Sequence, residues 1–241
     1  MKTADAIAFA GHEIHICRRR EAGTLLRWLG EDLRGLRVLD VAGGDGYWAA
    51  RARQRGAWAV ALDIAQHKLL RGQTLAATPG LVNADALQLP FADETFDRVM
   101  SVCAIEHFDD GERALDEMAR VLAPGGELVM SADTLTLAEQ WPNLYRAHCE
   151  RYHVKRTYTH GELTELLAAR GLTVTEHQYQ FRTQWAQHMY LGLSAHGGKI
   201  GFNAAAPALP LVAASDRGAQ GDGGAIVLIR ATRGQRPSAR A

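Results

Sequence analysis

The chain has 241 residues, 47% of them hydrophobic, with 27 Lys+Arg balanced by 27 Asp+Glu. That length suits one well-buried domain, and zero formal charge supplies no global field toward nucleic acid or an anionic membrane. Cys17, Cys103 and Cys149 are too few and too scattered for a disulfide framework or a Cys-rich zinc site. They read as free thiols, and with no apolar run near ~18 residues the expected location is the cytoplasm, with no membrane partner.

Residues 1–34 carry Leu25, Leu26, Trp28, Leu29 and Leu33 at helical spacing, which predicts an N-terminal helical lid. "LRVLDV" then reads as a buried strand and "YWAARARQRG" as a helix closed by Gly56. "AWAVALD" is a second strand, "AQHKLLRGQTLA" a helix, and "GLVNAD" a third strand ending at Asp85. "DRVMSV", the helix "DDGERALDEMARVL" and the strand "ELVMSAD" follow. Strand and helix alternate at the spacing of right-handed crossovers, so the expected fold is α/β with a doubly wound, mostly parallel sheet.

After Asp133 the alternation breaks, and residues 134–160 read as an insertion on the substrate side. Trp141-Pro142 should start a helix, with proline at its first position. Thr159 and Glu162 form a capping-box pattern before "ELTELLAARG". "LTVTEHQYQ" reads as a strand, residues 191–224 as a flexible glycine- and alanine-rich segment, and "AIVLI" as the last strand of a domain over 35–232. Residues 233–241 are expected to be a polar tail.

Chemistry concentrates in "DVAGGDG", residues 40–46, a glycine-rich turn after the first strand. Gly44-Asp45-Gly46-Tyr47-Trp48-Ala49 also satisfies a dinucleotide fingerprint, so the motif alone leaves two ligands open. Asp40, Asp63 and Asp85 sit at the ends of the first three strands, on the sheet edge where open α/β sheets bind ligands. Asp63 suits a ribose diol in either ligand. Asp40 would repel a pyrophosphate but favours a cationic ammonium and sulfonium, and Asp85 with the Ala86 N–H can read an adenine edge.

With these residues the sequence resembles the class I S-adenosylmethionine-dependent methyltransferases of the small-molecule, type 11 group. The resemblance rests on "VLDVAGGDG", "ALDI", "NADALQLPFADETFDRV" and "EHFDDGERALDEMARVLAPGGELVMS" in family order. It implies a Rossmann-like methyltransferase fold with a seven-stranded sheet, and S-adenosylmethionine as cofactor, with S-adenosylhomocysteine as product. By position, Asp40 and the backbone of Ala42, Gly43, Gly44 and Gly46 would surround the methionine end. Asp63 would take the ribose, Ile64 would pack on adenine, and Asp85 and Ala86 would read its edge. Cys103 would offer its carbonyl to the ammonium. The family usually has glycine where Ala42 stands, and a methyl group there predicts a loop that avoids positive φ.

Methyl transfer needs a nucleophile aligned about 3 Å from the methyl and sometimes a base. His107, at the mouth of the cleft, and His153, in the insertion, are the candidate bases. Trp141, Tyr145, His148 and Tyr152 share one helical face and, with Tyr158, are expected to wall an apolar or ring-containing small-molecule acceptor. The histidines favour an oxygen acceptor; nitrogen, carbon, or a non-catalytic cofactor-binding subunit are the alternatives. His12 and His15 lack a third ligand, so no metal is expected, and a homodimer is the assembly considered.

Overall fold

The structure is a computed structural model that describes residues 16–74 and 78–235. The central strands are short aliphatic runs buried on both faces and read as continuous apolar stretches, while the two edge strands are half-buried or exposed over much of their length. The described residues hold seven strands. They are β1 (Arg37–Val41), β2 (Trp58–Asp63), β3 (Gly80–Asn83), β4 (Phe96–Val102), β5 (Leu122–Asp133), β6 (Leu172–Gln180) and β7 (Ile226–Arg233). They form one seven-stranded sheet in the order β3-β2-β1-β4-β5-β7-β6. Strands β1 to β5 pair in parallel, and β7 runs antiparallel to both β5 and β6. The order reverses beside β1, so a crevice opens at the carboxyl ends of β1 and β4.

Successive residues of a strand serve opposite faces. Val38 belongs to an apolar layer with Leu25 and Leu29 of helix α1 (Ile16–Leu29) and Trp48 of α2 (Tyr47–Gln54). Leu39 belongs to the other layer, with Leu115 and Met118 of α4 (Gly111–Val121) and Leu163 and Leu167 of α6 (His160–Ala168). Helix α3 (Gln66–Gly72) follows β2. Asp110 caps α4 by accepting the Arg113 N–H at 2.9 Å. Thr159 and Glu162 close the expected capping box on α6, at 3.1 and 2.8 Å. Helix α5 (Pro142–Tyr152) begins, as expected, with proline in its first turn.

The segment 191–224, expected as a flexible stretch, is instead largely helical. Helix α7 (Gln184–Gly192) runs into a π-turn at Leu193–Gly197, then α8 (Gly198–Ala204) and α9 (Leu209–Gly218). Phe202 and Val212 are buried in the first apolar layer, and that burial overrides the weak propensity of the glycines. Asp216 is buried too, accepting from Arg20 at 2.6 Å and from the N–H groups of Phe181 and Arg182 at 3.1 and 2.8 Å. The third strand also stops early, at Asn83, leaving Asp85 two residues beyond it. Among the described residues no helix is long and apolar enough to cross a membrane. His12, His15, the first part of the lid and residues 236–241 of the tail lie outside the described residues.

Candidate functional site

The turn after β1 is fixed by what surrounds it. A Cβ on Gly43 would lie 2.6 Å from the Asp40 carboxylate, and Gly44 and Gly46 have φ of 61° and 76°. Gly44 donates its N–H to Asp63 Oδ2 at 2.9 Å, tying the turn to the end of β2. Ala42 departs from expectation: its φ is +55°. The turn keeps the left-handed geometry that a glycine would adopt without cost, and alanine carries roughly 1 kcal/mol of strain there.

Asp40 is fully buried, and neither carboxylate oxygen has a well-formed hydrogen bond. Burial pushes its pKa up to about 8, helped by the negative charges of Asp45 and Asp63 and only partly offset by the Ala49 N–H. Beside it is a cleft of about 190 Å³, lined by Ala42, Gly43, Gly44 and Trp48 and by the cationic side chains of Arg18, Lys68 and Arg71. A buried acid in want of a counter-charge, a glycine that admits backbone approach and an arginine opposite together suit an amino-acid-like ligand end.

A second hollow of about 250 Å³ lies on the other side of Ala42, between Asp63, Ile64, Asp85, Ala86 and His107. Asp63 also accepts the Ala65 N–H at 2.8 Å, which aims its carboxylate along the crevice. Asn83 Nδ2 donates to the carbonyls of Asp63 and Ile64, each at 2.9 Å, and so holds this strand end to its neighbour. Ile64 is 71% exposed, so it is not a core residue; it is an apolar face open to a planar ring. Asp85 is exposed and accepts the Leu87 N–H at 2.9 Å.

Further in is a small cavity of about 30 Å³, lined by Arg18, Cys103, His107, Asp133, His148, Tyr152, Tyr190, Ser194 and Phe202. Asp133 Oδ2 lies 2.9 Å from His148 Nε2, and Asp133 Oδ1 accepts from the Tyr190 hydroxyl at 3.1 Å. His148 Nδ1 is 2.8 Å from the Ser194 hydroxyl. Burial alone would raise Asp133, but the His148 hydrogen bond and the charges of His148 and Arg18 hold it below the usual carboxylate range. Glu106 is the opposite case. It is fully buried, its oxygens accept no well-formed hydrogen bond, His107 Nε2 lies 3.9 Å from Oε1, and burial together with Asp133 pushes it up to about 8. His107 is held below its ordinary value by burial, with Asp133 opposing, so its ring is neutral at pH 7. Glu21 of α1, raised chiefly by its own burial, reaches in from above and accepts from Arg18 at 2.8 Å and from the Ser131 hydroxyl.

Nine of the ten residues expected around a cofactor border these adjoining cavities, with Cys103 at the inner end and buried. Only Gly46 stands behind the wall, where a Cβ would meet Ala61, Pro79 and Leu81 at 3.0–3.1 Å. The acceptor-side residues divide. His107 borders both the outer hollow and the inner cavity, and His148 and Tyr152 line the latter. Trp141 and Tyr145 instead pack on the first apolar layer, and Tyr158 is buried in the second. His153 ends α5 in a left-handed conformation, φ 55°, and is exposed, so it borders none of these cavities. Sequence reasoning missed Arg18, Glu106, Asp133, Tyr190 and Ser194. Asp133 had a signal, being a fourth acid at a strand end, and Tyr190 had one as the last of the aromatics that cluster between residues 141 and 190; Ser194 had none, because it arrives from the segment taken as flexible.

Residues 39–130 match a family model described as a methyltransferase domain. Over 139 residues the chain is 34% identical to malonyl-[acyl-carrier protein] O-methyltransferase of Erwinia pyrifoliae, covering 56% of this chain and 52% of that protein. Over 100 residues it is 43% identical to demethylmenaquinone methyltransferase of Thermus thermophilus, covering 39% and 46%. The chain thus spans about half the length of these curated relatives. The solved geranyl diphosphate C-methyltransferase of Streptomyces coelicolor superposes with a TM-score of 0.66 at 15% identity, over 89% of this chain and 77% of that one. Over residues 39–130 the sequence is therefore similar to methyltransferase domains, and the chain has the fold of the solved methyltransferase.

Proposed function

We propose that this protein transfers a methyl group from S-adenosylmethionine to a hydroxyl oxygen of a small molecule. The observation that carries the reading is the position of His107, which borders both the hollow at Asp63, Ile64 and Asp85 and the inner cavity at Asp133 and His148. S-adenosylmethionine supplies, when bound, a methyl carbon already activated by sulfonium. Asp63 accepts the ribose hydroxyls, Ile64 covers the adenine ring, and Asp85 with the Ala86 N–H reads its edge. Asp40 takes the ammonium and Arg18 the carboxylate of the methionine end. Neutral His107 accepts the proton of the acceptor hydroxyl, and Asp133, fixed by His148 and Tyr190, holds negative charge close by to favour the imidazolium that results.

The name of the Erwinia relative, an O-methyltransferase, agrees with an oxygen acceptor. The narrowness of the inner cavity, about 30 Å³ and enough for a single water, favours a second reading, a cofactor-binding subunit without turnover. Methyl-labelled S-adenosylmethionine offered with panels of hydroxyl, amine and activated-carbon acceptors separates these readings. Label in hydroxyl products alone is expected. Label only in amines or carbon acids overturns the oxygen assignment, and no label with intact S-adenosylhomocysteine binding supports the second reading.

A further inference from the structure

Away from the crevice, His160 at the start of α6, His177 on the edge strand β6 and Asp222 in the connection from α9 to β7 converge. One nitrogen from each histidine and an oxygen of Asp222 all lie within 4.8 Å of one another. The two imidazoles stack with centroids 3.9 Å apart. His177 Nε2 is 3.4 Å from Asp222 Oδ1, and His160 Nδ1 is 3.9 Å from Asp222 Oδ2.

The tautomer of His160 gives this cluster its chemistry. The Thr164 hydroxyl lies 2.8 Å from the His160 carbonyl and 3.2 Å from His160 Nε2. Its single proton goes to the carbonyl four residues back, the usual bond of a threonine inside a helix, so the oxygen accepts from Nε2–H. With its proton on Nε2 the ring has its lone pair on Nδ1, 3.9 Å from Asp222 Oδ2. His160 Nδ1, His177 Nε2 and the Asp222 carboxylate thus offer three donor atoms to one cation.

We propose that His160 Nδ1, His177 Nε2 and the Asp222 carboxylate form a binding site for a divalent transition-metal ion of the zinc class. Two imidazoles and one carboxylate suit Zn²⁺ and not Mg²⁺ or Ca²⁺, which take oxygen ligands. Zinc–nitrogen bonds near 2.0–2.1 Å place tetrahedral donors about 3.3 Å apart, so the cluster closes by about 1.5 Å on binding. Asp222 and His177 have side chains 63% and 39% exposed and can rotate to do this, while Thr164 fixes His160 as an outer-sphere partner. The fourth position faces solvent. The ion would join α6, the free edge of the sheet and the 219–225 connection. That connection hydrogen-bonds to the strand end carrying Asp133, through Thr134 N–H to the Ala225 carbonyl at 2.8 Å.

Calorimetric titration of the full-length protein with ZnCl₂, with MgCl₂ as comparison, tests this. One equivalent of Zn²⁺ with a micromolar or tighter Kd is expected, and none of Mg²⁺. His160→Ala and His177→Ala should each weaken zinc at least about 100-fold, and Thr164→Val about 10-fold, the loss typical for an outer-sphere partner. His12→Ala/His15→Ala should leave the equivalent in place. Circular dichroism of each variant confirms that it is folded. Zinc binding unchanged in His160→Ala and His177→Ala, or lost in His12→Ala/His15→Ala, overturns the assignment, as does the absence of binding to the unsubstituted protein.

Discussion

The two sides of this crevice are built by different means. Its outer side comes from three strand ends and the turns that follow them within residues 40–86, and nearly every contact there joins near neighbours or adjacent strands. Its inner side is assembled from α1, the end of β5, α5, α7 and the turn behind α7, with partners up to 110 residues apart, as for Ser131 and Glu21. A site made from local backbone geometry is specified by short motifs. A site made from distant side chains is specified only by the packing that brings them together.

Breaking the inner side should cost the fold most. Asp133→Ala removes one partner of a buried pair and leaves His148 and Tyr190 without their acceptor. A loss of about 3–5 kcal/mol in chemical denaturation is expected, and a loss under 1 kcal/mol would mean that water enters the cavity readily. His107→Ala should leave S-adenosylhomocysteine affinity within a few-fold and lower turnover about 100-fold, the scale of one general base. Turnover close to that of the unsubstituted protein would remove His107 from the chemistry.

Asp63→Ala tests the outer side. It should weaken S-adenosylhomocysteine by roughly 1.5–3 kcal/mol, the scale of charged hydrogen bonds, with NAD(H) showing no binding to either form. Equal affinities in a folded variant would refute the ribose assignment.

Asp40 adds a pH dependence with a definite sign. Its folded pKa, about 8, lies above its ordinary 3.8, so the ligand-free fold holds a proton that the unfolded chain releases. Its contribution to stability is therefore full below about pH 4 and lost as pH rises toward 8. A cation bound beside it favours the ionised form, so S-adenosylhomocysteine affinity should rise between pH 6 and 8, by at most about tenfold per unit. Calorimetry with Asp40→Asn should give a flatter profile. The smallest effect expected is from Ala42→Gly. Relief of a left-handed alanine, less the entropy that glycine adds to the unfolded chain, should stabilise by a few tenths to about 1 kcal/mol. A loss of stability would mean that the methyl makes a contact worth more than its strain.

The same division explains what could be read in the sequence. Asp63 and Ile64 were legible because they fall at the end of an apolar strand, whereas Asp85 was expected at a strand end and lies two residues beyond one. The capping box on α6 was legible because its two partners are three residues apart. Residues 191–224 were not, since glycine and alanine content says nothing of the burial of Phe202 and Val212 that makes the segment helical. Trp141 and Tyr158 misled for a related reason: periodicity identifies an apolar face but not what that face meets. Ala42 shows the limit in the other direction, where the demands of the turn prevail over the preference of the residue.

The order of the strands has a consequence for how the protein is made. β7 lies between β5 and β6, yet it is the last of the seven to be synthesised. Until it leaves the ribosome, β6 has no strand to pair with, and Gly224 and Ala225 are not there to hold the end of β5. The five parallel strands can assemble as they emerge, presenting a complete outer crevice to ligand while the inner wall is still waiting for its last strand. A nascent chain halted before residue 224 should therefore already engage S-adenosylhomocysteine, loosely, before the end of β5 is held in place.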